Sequence, residues 1–342
     1  MNGLANSAID TRRASEHFRQ RILNLDSGKL LISRLSGSQQ EPDLTTPTNC
    51  DGFGRVRHFR WATSPGWPPN PLPTVPACHA LGIPEPPSVM RAQVFQVAAC
   101  PWRCWYCFVP YELLRADLSR SRWMSPRELI DLYLAQEDPP SIIDLSGGSP
   151  DLVPEWTVWM MNALEQAGLS SSTYLWTDDN LSSTYLFDVL SRKEIRRLVE
   201  YRNYGRVCCF KGFDAESFAF NTHANGEGFR DQFAIMRRML RLGIDLYGYV
   251  TLTSGNSDQV ARRVATFVDH LQELDANLPL RIVPLQIQVF TPVSKRLNPE
   301  REKSLSVQEE AIAAWSAELA RRYPSELRQA AIAAVPLETG RH

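Results

Sequence analysis

The chain has 342 residues, 43% of them hydrophobic and 10% aromatic, which suffices for one large α/β domain or two smaller ones and excludes a disordered chain. Its formal net charge is −1, with no global basic excess of the kind that holds nucleic-acid phosphates, so a nucleic-acid partner is not expected. No run approaches the length of a transmembrane helix, and Met1 to Arg13 has no apolar core of signal-peptide length, so neither membrane insertion nor export is expected.

Residues 1–89 read as an N-terminal extension. Residues 11–24 suit a short charged helix, and Lys29–Leu35 a strand. From Pro65 to Pro87 there are nine prolines in 23 residues. Proline fixes φ and removes a backbone donor, so regular helix or central strand is not expected there. Trp61, Trp67 and Leu72 give the stretch groups to bury, so it reads as an extended arm docked across the main domain.

From residue 90 to 295 strands alternate with helices. Arg91–Ala98 is strand-like and leads into a cysteine loop. Ser125-Pro-Arg-Glu128 is a capping box with proline at the first helical position. Leu129, Ile130, Tyr133 and Leu134 form its helical stripe. Ser141–Leu145 is a strand ending in Ser-Gly-Gly-Ser-Pro150. A helix follows over Pro154–Ala167, stopped by Gly168. Thr173–Trp176 is a strand ending in Thr-Asp-Asp-Asn180, and Phe187–Arg202 is mostly helical. Arg206–Phe210 is a strand ending in Lys-Gly-Phe-Asp214. Arg230–Leu242, stopped by Gly243, is a helix. Ile244–Leu252 is a strand, Asp258–Leu274 a helix and Leu285–Phe290 a strand. Residues 296–342 form a C-terminal helical segment, opened by a second capping box at Ser306-Val-Gln-Glu309. Such alternation implies a parallel sheet with right-handed crossovers. The six units are too few for a closed eight-stranded barrel, so the fold class is α/β, a partial (β/α)6 TIM-like barrel with a Pro-rich N-terminal extension.

Ligands of parallel α/β folds bind at the C-terminal ends of the strands. The conspicuous polar groups of this chain fall there. Cys100, Cys104 and Cys107 follow the first strand, Gly147 and Gly148 the second, Asp178, Asp179 and Asn180 the third, and Lys211 the fourth. Three thiolates in one loop are soft ligands for an iron–sulfur cluster, zinc or copper(I). A structural zinc site would close with a fourth nearby ligand, and neither His79 nor His223 stands at such a spacing. Seven cysteines, three of them crowded together, suit a reducing compartment, and the cytoplasm is the expected location.

The C-x3-C-x2-C spacing, with Tyr106 before the last cysteine, resembles the signature of the radical S-adenosylmethionine (radical SAM) enzymes. Gly147-Gly148-Ser149-Pro150 is similar to that family's GGEP motif, with Ser149 where glutamate is usual. The resemblance implies a [4Fe–4S] cluster on Cys100, Cys104 and Cys107, with SAM at the open iron. It places Gly147, Gly148, Ser149, Pro150, Asp178 and Tyr106 at the cofactor and Lys211 in the active site. It also implies a curved sheet, a flavodoxin- or ferredoxin-type electron donor, and reductive cleavage of SAM to a 5′-deoxyadenosyl radical that takes hydrogen from a small-molecule or peptide substrate.

Phe210-Lys-Gly-Phe-Asp214 and Asp178-Asp-Asn180 resemble the DLKG-x-D and DTN segments of the glycyl-radical-enzyme activases, which act on a partner enzyme. Cys209 stands in place of the DLK aspartate. An activase is therefore one alternative, and a non-catalytic Fe–S or zinc protein is another. Cys50, Cys78, Cys208 and Cys209 read as buried free thiols, Asp179 as a turn former, Asp151 as a helix cap, and His223 as a polar loop residue. Trp102 and Trp105 flank the cysteines and suit exclusion of water and oxygen.

Overall fold

The computed structural model describes residues 8–62, 64 and 67–338. Helix α1 (Thr11–Ile22) leads into a hairpin of β1 (Leu23–Asn24) and β2 (Lys29–Ser33). Then come β3 (Gly54–Arg60), α2 (Thr74–Leu81), β4 (Val89–Phe95), β5 (Ser121–Met124) and α3 (Pro126–Leu134). Next are β6 (Ile142–Leu145), α4 (Glu155–Gln166), β7 (Tyr174–Asp179), α5 (Tyr185–Asp188), α6 (Arg192–Glu200) and β8 (Tyr204–Phe210). The chain continues through α7 (Ala215–Thr222), α8 (Gly228–Leu240), β9 (Leu246–Val250), α9 (Val260–Gln272), β10 (Ile282–Pro284), α10 (Thr291–Ser294) and α11 (Pro299–Arg322). Among the described residues no helix is long and apolar enough to cross a membrane.

The main sheet has seven strands in the order β10-β9-β8-β7-β6-β4-β3, and it curls into a half-barrel. Strands β4 and β6 to β10 run parallel, as the alternation of strands and helices requires. The seventh strand, β3, was not expected. It pairs antiparallel with β4 along its whole length, from Gly54↔Phe95 to Arg60↔Val89. Its alternation is masked in sequence because Arg55 and Arg57 occupy inward positions where apolar residues would mark a strand.

Strand residues alternate between faces. Trp176, Cys209 and Tyr249 belong to the apolar cluster inside the curl, whereas Leu175, Cys208 and Val250 belong to the larger cluster beneath the helices. The small β1-β2-β5 sheet abuts the end of β4, where Ala98 N donates to Leu31 O at 2.9 Å and Ser33 N to Gln96 O at 2.8 Å. It thereby braces the chain as it enters the cysteine loop.

Three expectations are corrected. The proline-rich stretch contains a helix, α2, of eight residues. Pro73 sits at its N-cap and Pro76 in its first turn, where no intrahelical amide donor is needed. Pro65 falls outside the described residues. The last strand lies at Ile282–Pro284 rather than Leu285–Phe290, because its partner β9 ends at Val250: Leu285 N still donates to Val250 O at 2.9 Å, but Ile287 N turns to the Gln308 side chain. The long C-terminal helix begins at Pro299, not Ser306. Asn298 caps it by accepting from Arg301 N at 2.8 Å, and the charged run Glu300–Lys303 forms its exposed start.

The proline-rich segment packs into the lower end of the curl. Leu72 is fully buried there with Cys78 of α2, Ile142, Tyr174, Trp176 and Tyr247. Tyr249 OH donates to Leu72 O, and Asn70 Nδ2 donates to Tyr249 OH at 3.2 Å. Leu72→Ala should therefore lower stability by about 2–5 kcal/mol, as for a core leucine, in denaturant unfolding. A change below ~0.5 kcal/mol would mark the segment as an undocked linker.

Candidate functional site

The strand-end loops surround a cavity of ≈ 380 Å³, within the range of small-molecule sites. Cys100, Cys104, Tyr106 and Cys107 line it from the first loop, Ser146, Gly147 and Gly148 from the second, Asp178 and Asn180 from the third, and Cys209 and Lys211 from the fourth. Four loops far apart in sequence thus meet at one place. Ser149 and Pro150 do not line it. Both are buried below the rim, with Pro150 opening a short 3-10 turn.

The cysteine loop has no ladder of its own, so other groups must satisfy its backbone. Arg296 donates to Cys107 O at 2.6 Å and to Val109 O at 3.0 Å. Arg103 donates to Cys100 O and Trp102 O, both at 2.7 Å, and Tyr111 OH to Cys104 O at 3.0 Å. Trp105 N donates to Asn221 O at 3.2 Å, and Trp105 Nε1 to Asn221 Oδ1 at 3.1 Å. Trp102 Nε1 donates to Thr11 Oγ1 at 2.9 Å, and both indoles are buried.

The Gly-Gly turn lies directly against this loop. Gly147 has φ +90° and Gly148 φ +68°, the left-handed region that glycine tolerates. A Cβ on Gly148 would collide with the Val97 and Ala99 carbonyl oxygens, and one on Gly147 with the Gln96 side chain. The glycines thus permit close approach to the strand that carries the cysteines. Asn180 ties the parts together. Its Nδ2 lies 3.9 Å from Cys100 Sγ, 3.2 Å from Gly148 O and 2.9 Å from Ser149 Oγ.

Several expectations for single residues change. Asp151 is no helix cap. It accepts from Ser149 Oγ at 2.8 Å and from Ser182 N and Oγ at 3.0 and 2.6 Å, fixing two loops. Asp179 does make a turn, accepting from Leu181 N at 2.7 Å, but it is also the partner of buried Arg206 at 2.5 Å. Cys209 lines the cavity whereas Cys208 packs outside it, as alternation requires. Asp214 is the N-cap of α7 and an ion-pair partner of Arg263 at 2.6 Å. His223 stands at the C-cap of α7 beside Arg301 and does not line the cavity.

Sequence reasoning missed the residues β3 contributes. Arg55, Arg57 and His58 line the cavity, facing a segment, 285–288 and Phe290, on the other side. Gln232 and Asn221 were missed as well. Gln232 Nε2 donates to Asn180 O and Cys209 O at 2.9 and 2.8 Å, and Asn221 Nδ2 to Lys211 O at 2.9 Å. Isolated polar residues on apolar helix faces were the available signal.

The electrostatics are those of a buried polar pocket. Burial pushes the Cys100 thiol up to about 11 and Cys104 to about 12. Burial works against charge on Lys211, but Cys209, Cys104, Cys100 and Asp178 outweigh it and hold its pKa above the ordinary lysine range. Asp178 accepts from Ser146 Oγ at 2.5 Å, and burial raises its pKa. Asp144 is fully buried with neither carboxylate oxygen hydrogen-bonded among the described residues. Burial, then the charge of Asp178, raises it to about 8.

Among the described residues no three His, Cys, Asp or Glu side chains are placed to hold a metal ion. A lone zinc ion would draw its thiolates to within about 2.3 Å of one point. A cluster spreads its ligands over separate irons, so two buried thiols, Cys100 and Cys104, with half-buried Cys107 lining the same cavity fit a cluster better than a single ion.

No protein-family model matches the chain, and no curated protein matches it in sequence. Among solved structures, one similar chain is Streptococcus suis SuiB bound to its precursor peptide SuiA, at 11% identity and TM-score 0.35, covering 52% of this chain and 36% of that one. Another is the same protein bound to S-adenosylmethionine, at 14% identity and TM-score 0.34, covering 51% and 36%. The chain thus spans little more than a third of SuiB, a likeness too slight to bear on function.

Two outcomes follow from this geometry. Gly148→Ala should destabilise the protein by on the order of 3 kcal/mol in denaturant unfolding, since backbone strain and a clash with fixed carbonyls add. Asp144, with a raised pKa, contributes stability that is full below the ordinary carboxylate range and lost as pH rises through about 8. Asp144 should therefore make stability in denaturant unfolding fall as pH rises from the ordinary carboxylate range toward about 8. Asp144→Asn should remove most of that slope.

Proposed function

We propose that the chain is a radical SAM enzyme acting on a small-molecule or peptide substrate. The observation that carries this reading is the meeting of Cys100, Cys104 and Cys107 with Gly147, Gly148, Asp178 and Lys211, from four strand ends, around one cavity. Cys100, Cys104 and Cys107 would hold a [4Fe–4S] cluster, and the Gly147–Gly148 turn, Asp178 and Tyr106 would border SAM beside it. Ser149 would act from below, through its hydrogen bonds to Asn180 and Asp151, and Pro150 by opening the short 3-10 turn that follows. The chemistry supplied there, when cluster and cofactor are bound, is one-electron reductive cleavage of SAM to methionine and a 5′-deoxyadenosyl radical that takes hydrogen from the substrate.

The chain's own residues make such a site workable. Three thiolates in a buried loop need positive charge nearby, and Lys211 supplies it. Trp102 and Trp105, buried beneath the loop, keep water from it and so help set a cluster potential. A flavodoxin- or ferredoxin-type protein would supply the electron. The activase alternative loses support, because Asp214 serves α7 and Arg263 and Cys209 replaces the expected aspartate.

Anaerobic reconstitution with iron and sulfide, followed by SAM and a strong reductant, should yield 5′-deoxyadenosine. Cys104→Ala should abolish it. Lys211→Ala should slow it while keeping the visible absorbance of the cluster. A fully loaded wild-type protein that never cleaves SAM, even with candidate substrates, would turn the reading toward a structural iron–sulfur protein.

A further inference from the structure

The cavity wall formed by β3 carries charge that cluster and SAM binding leave unused. Arg55 and Arg57 share the inward face of the strand with Phe59. Arg55 is 8% exposed, and its Nε has no hydrogen-bond partner among the described residues. Its guanidinium lies 5.2 Å from the centre of the Phe108 ring. The Arg57 guanidinium lies 4.1 Å from the centre of the Phe59 ring. Its nearest carboxylate, Asp144 Oδ2 at 3.8 Å, is beyond hydrogen-bonding reach. Aromatic rings thus fix both guanidinium planes without consuming their N–H donors.

Two cations side by side in a buried wall need a partner. Asp144 and Asp178 lie within electrostatic reach, but among the described residues neither is hydrogen-bonded to a guanidinium: both Asp144 oxygens are unmatched, and Asp178 accepts from Ser146. Burial, then the neighbouring Arg57, lowers Arg55 to about 10, against the opposing charges of Asp144 and Asp178. The same lining carries the apolar side chains of Phe108, Leu285, Ile287 and Phe290, with Gln286 and Gln288 between them.

We propose that Arg55 and Arg57 are the recognition site for a carboxylate of the substrate, whose apolar body lies against Phe108 and Phe290. The fork of a guanidinium matches the two oxygens of a carboxylate. A phosphate dianion would bring a second negative charge toward Asp178. This assignment supplies a substrate class to the cavity of the preceding section and rests on that reading only for the chemistry that follows binding.

The test is ligand-observed NMR titration of the full-length protein, as purified and after reconstitution, with phenylacetate, phenylacetamide and phenylphosphonate. Each titration is run with and without saturating SAM. Phenylacetate should bind at least about tenfold more tightly than the amide, the worth of one charge-assisted pair. SAM should not displace it. Arg57→Gln, at a half-buried position, should erase the preference, and Arg55→Lys should weaken it by losing the fork. Equal binding of acid and amide, no saturable binding of any probe, or a preference that survives both substitutions would overturn the proposal. Tighter binding of the phosphonate would reassign the pair to phosphate ligands, and displacement by SAM would reassign it to the carboxylate of SAM itself. Since no SAM cleavage enters this assay, its outcome is independent of the test of radical chemistry.

Discussion

A buried loop that lines a cavity has an awkward physical need. Its peptide groups are cut off from water, yet it has no helix or sheet to satisfy them. Here the cysteine loop is served by side chains from far along the sequence. Arg296, Tyr111, Arg103 and Asn221 engage nearly every turn of it. Asn221 and Gln232 also clamp the ends of β7, β8 and β9, through Asn180, Cys209, Lys211 and Thr253 carbonyls. Three carboxamides, those of Asn180, Asn221 and Gln232, therefore link all the loops that bear functional groups. If one moved, the thiols would move relative to the glycine turn.

The order of strands and helices from residue 90 onward was legible because each helix carries its own punctuation. Ser125 and Glu128 form the expected capping box, and Gly168 and Gly243 stop their helices with positive φ. The rim residues were legible for the same reason, since a strand end is visible once the strand is. What could not be read was anything set by contact between distant segments. β3 hides because its inward residues are arginines. The roles of Asp151 and Asp179 depend on partners 31 and 27 residues away, Ser182 and Arg206. The start of α11 was masked by a charged first turn, and the capping box placed at Ser306 is interior helix.

The distribution of charge inside the half-barrel follows its height. Near the lower end the inner face is apolar or aromatic, with Ile142, Tyr174, Trp176 and Tyr247. Next along the same face of β6 comes Asp144, and the strand ends carry Ser146, Asp178, Cys209 and Lys211. Strand alternation places these groups on one face, and parallel pairing stacks them in layers. Polar groups at the top can reach ligand, whereas the bottom must be sealed by side chains.

That seal is the proline-rich segment, with Leu72 and α2 filling the lower opening and Ile332 from the C-terminal segment beside them. With the base filled, the half-barrel keeps its other end for the rim, where β3 and residues 285–288 line the cavity with the cysteine loop. A stretch of chain remote from the thiols and the glycine turn thus sets which end of the sheet stays hollow.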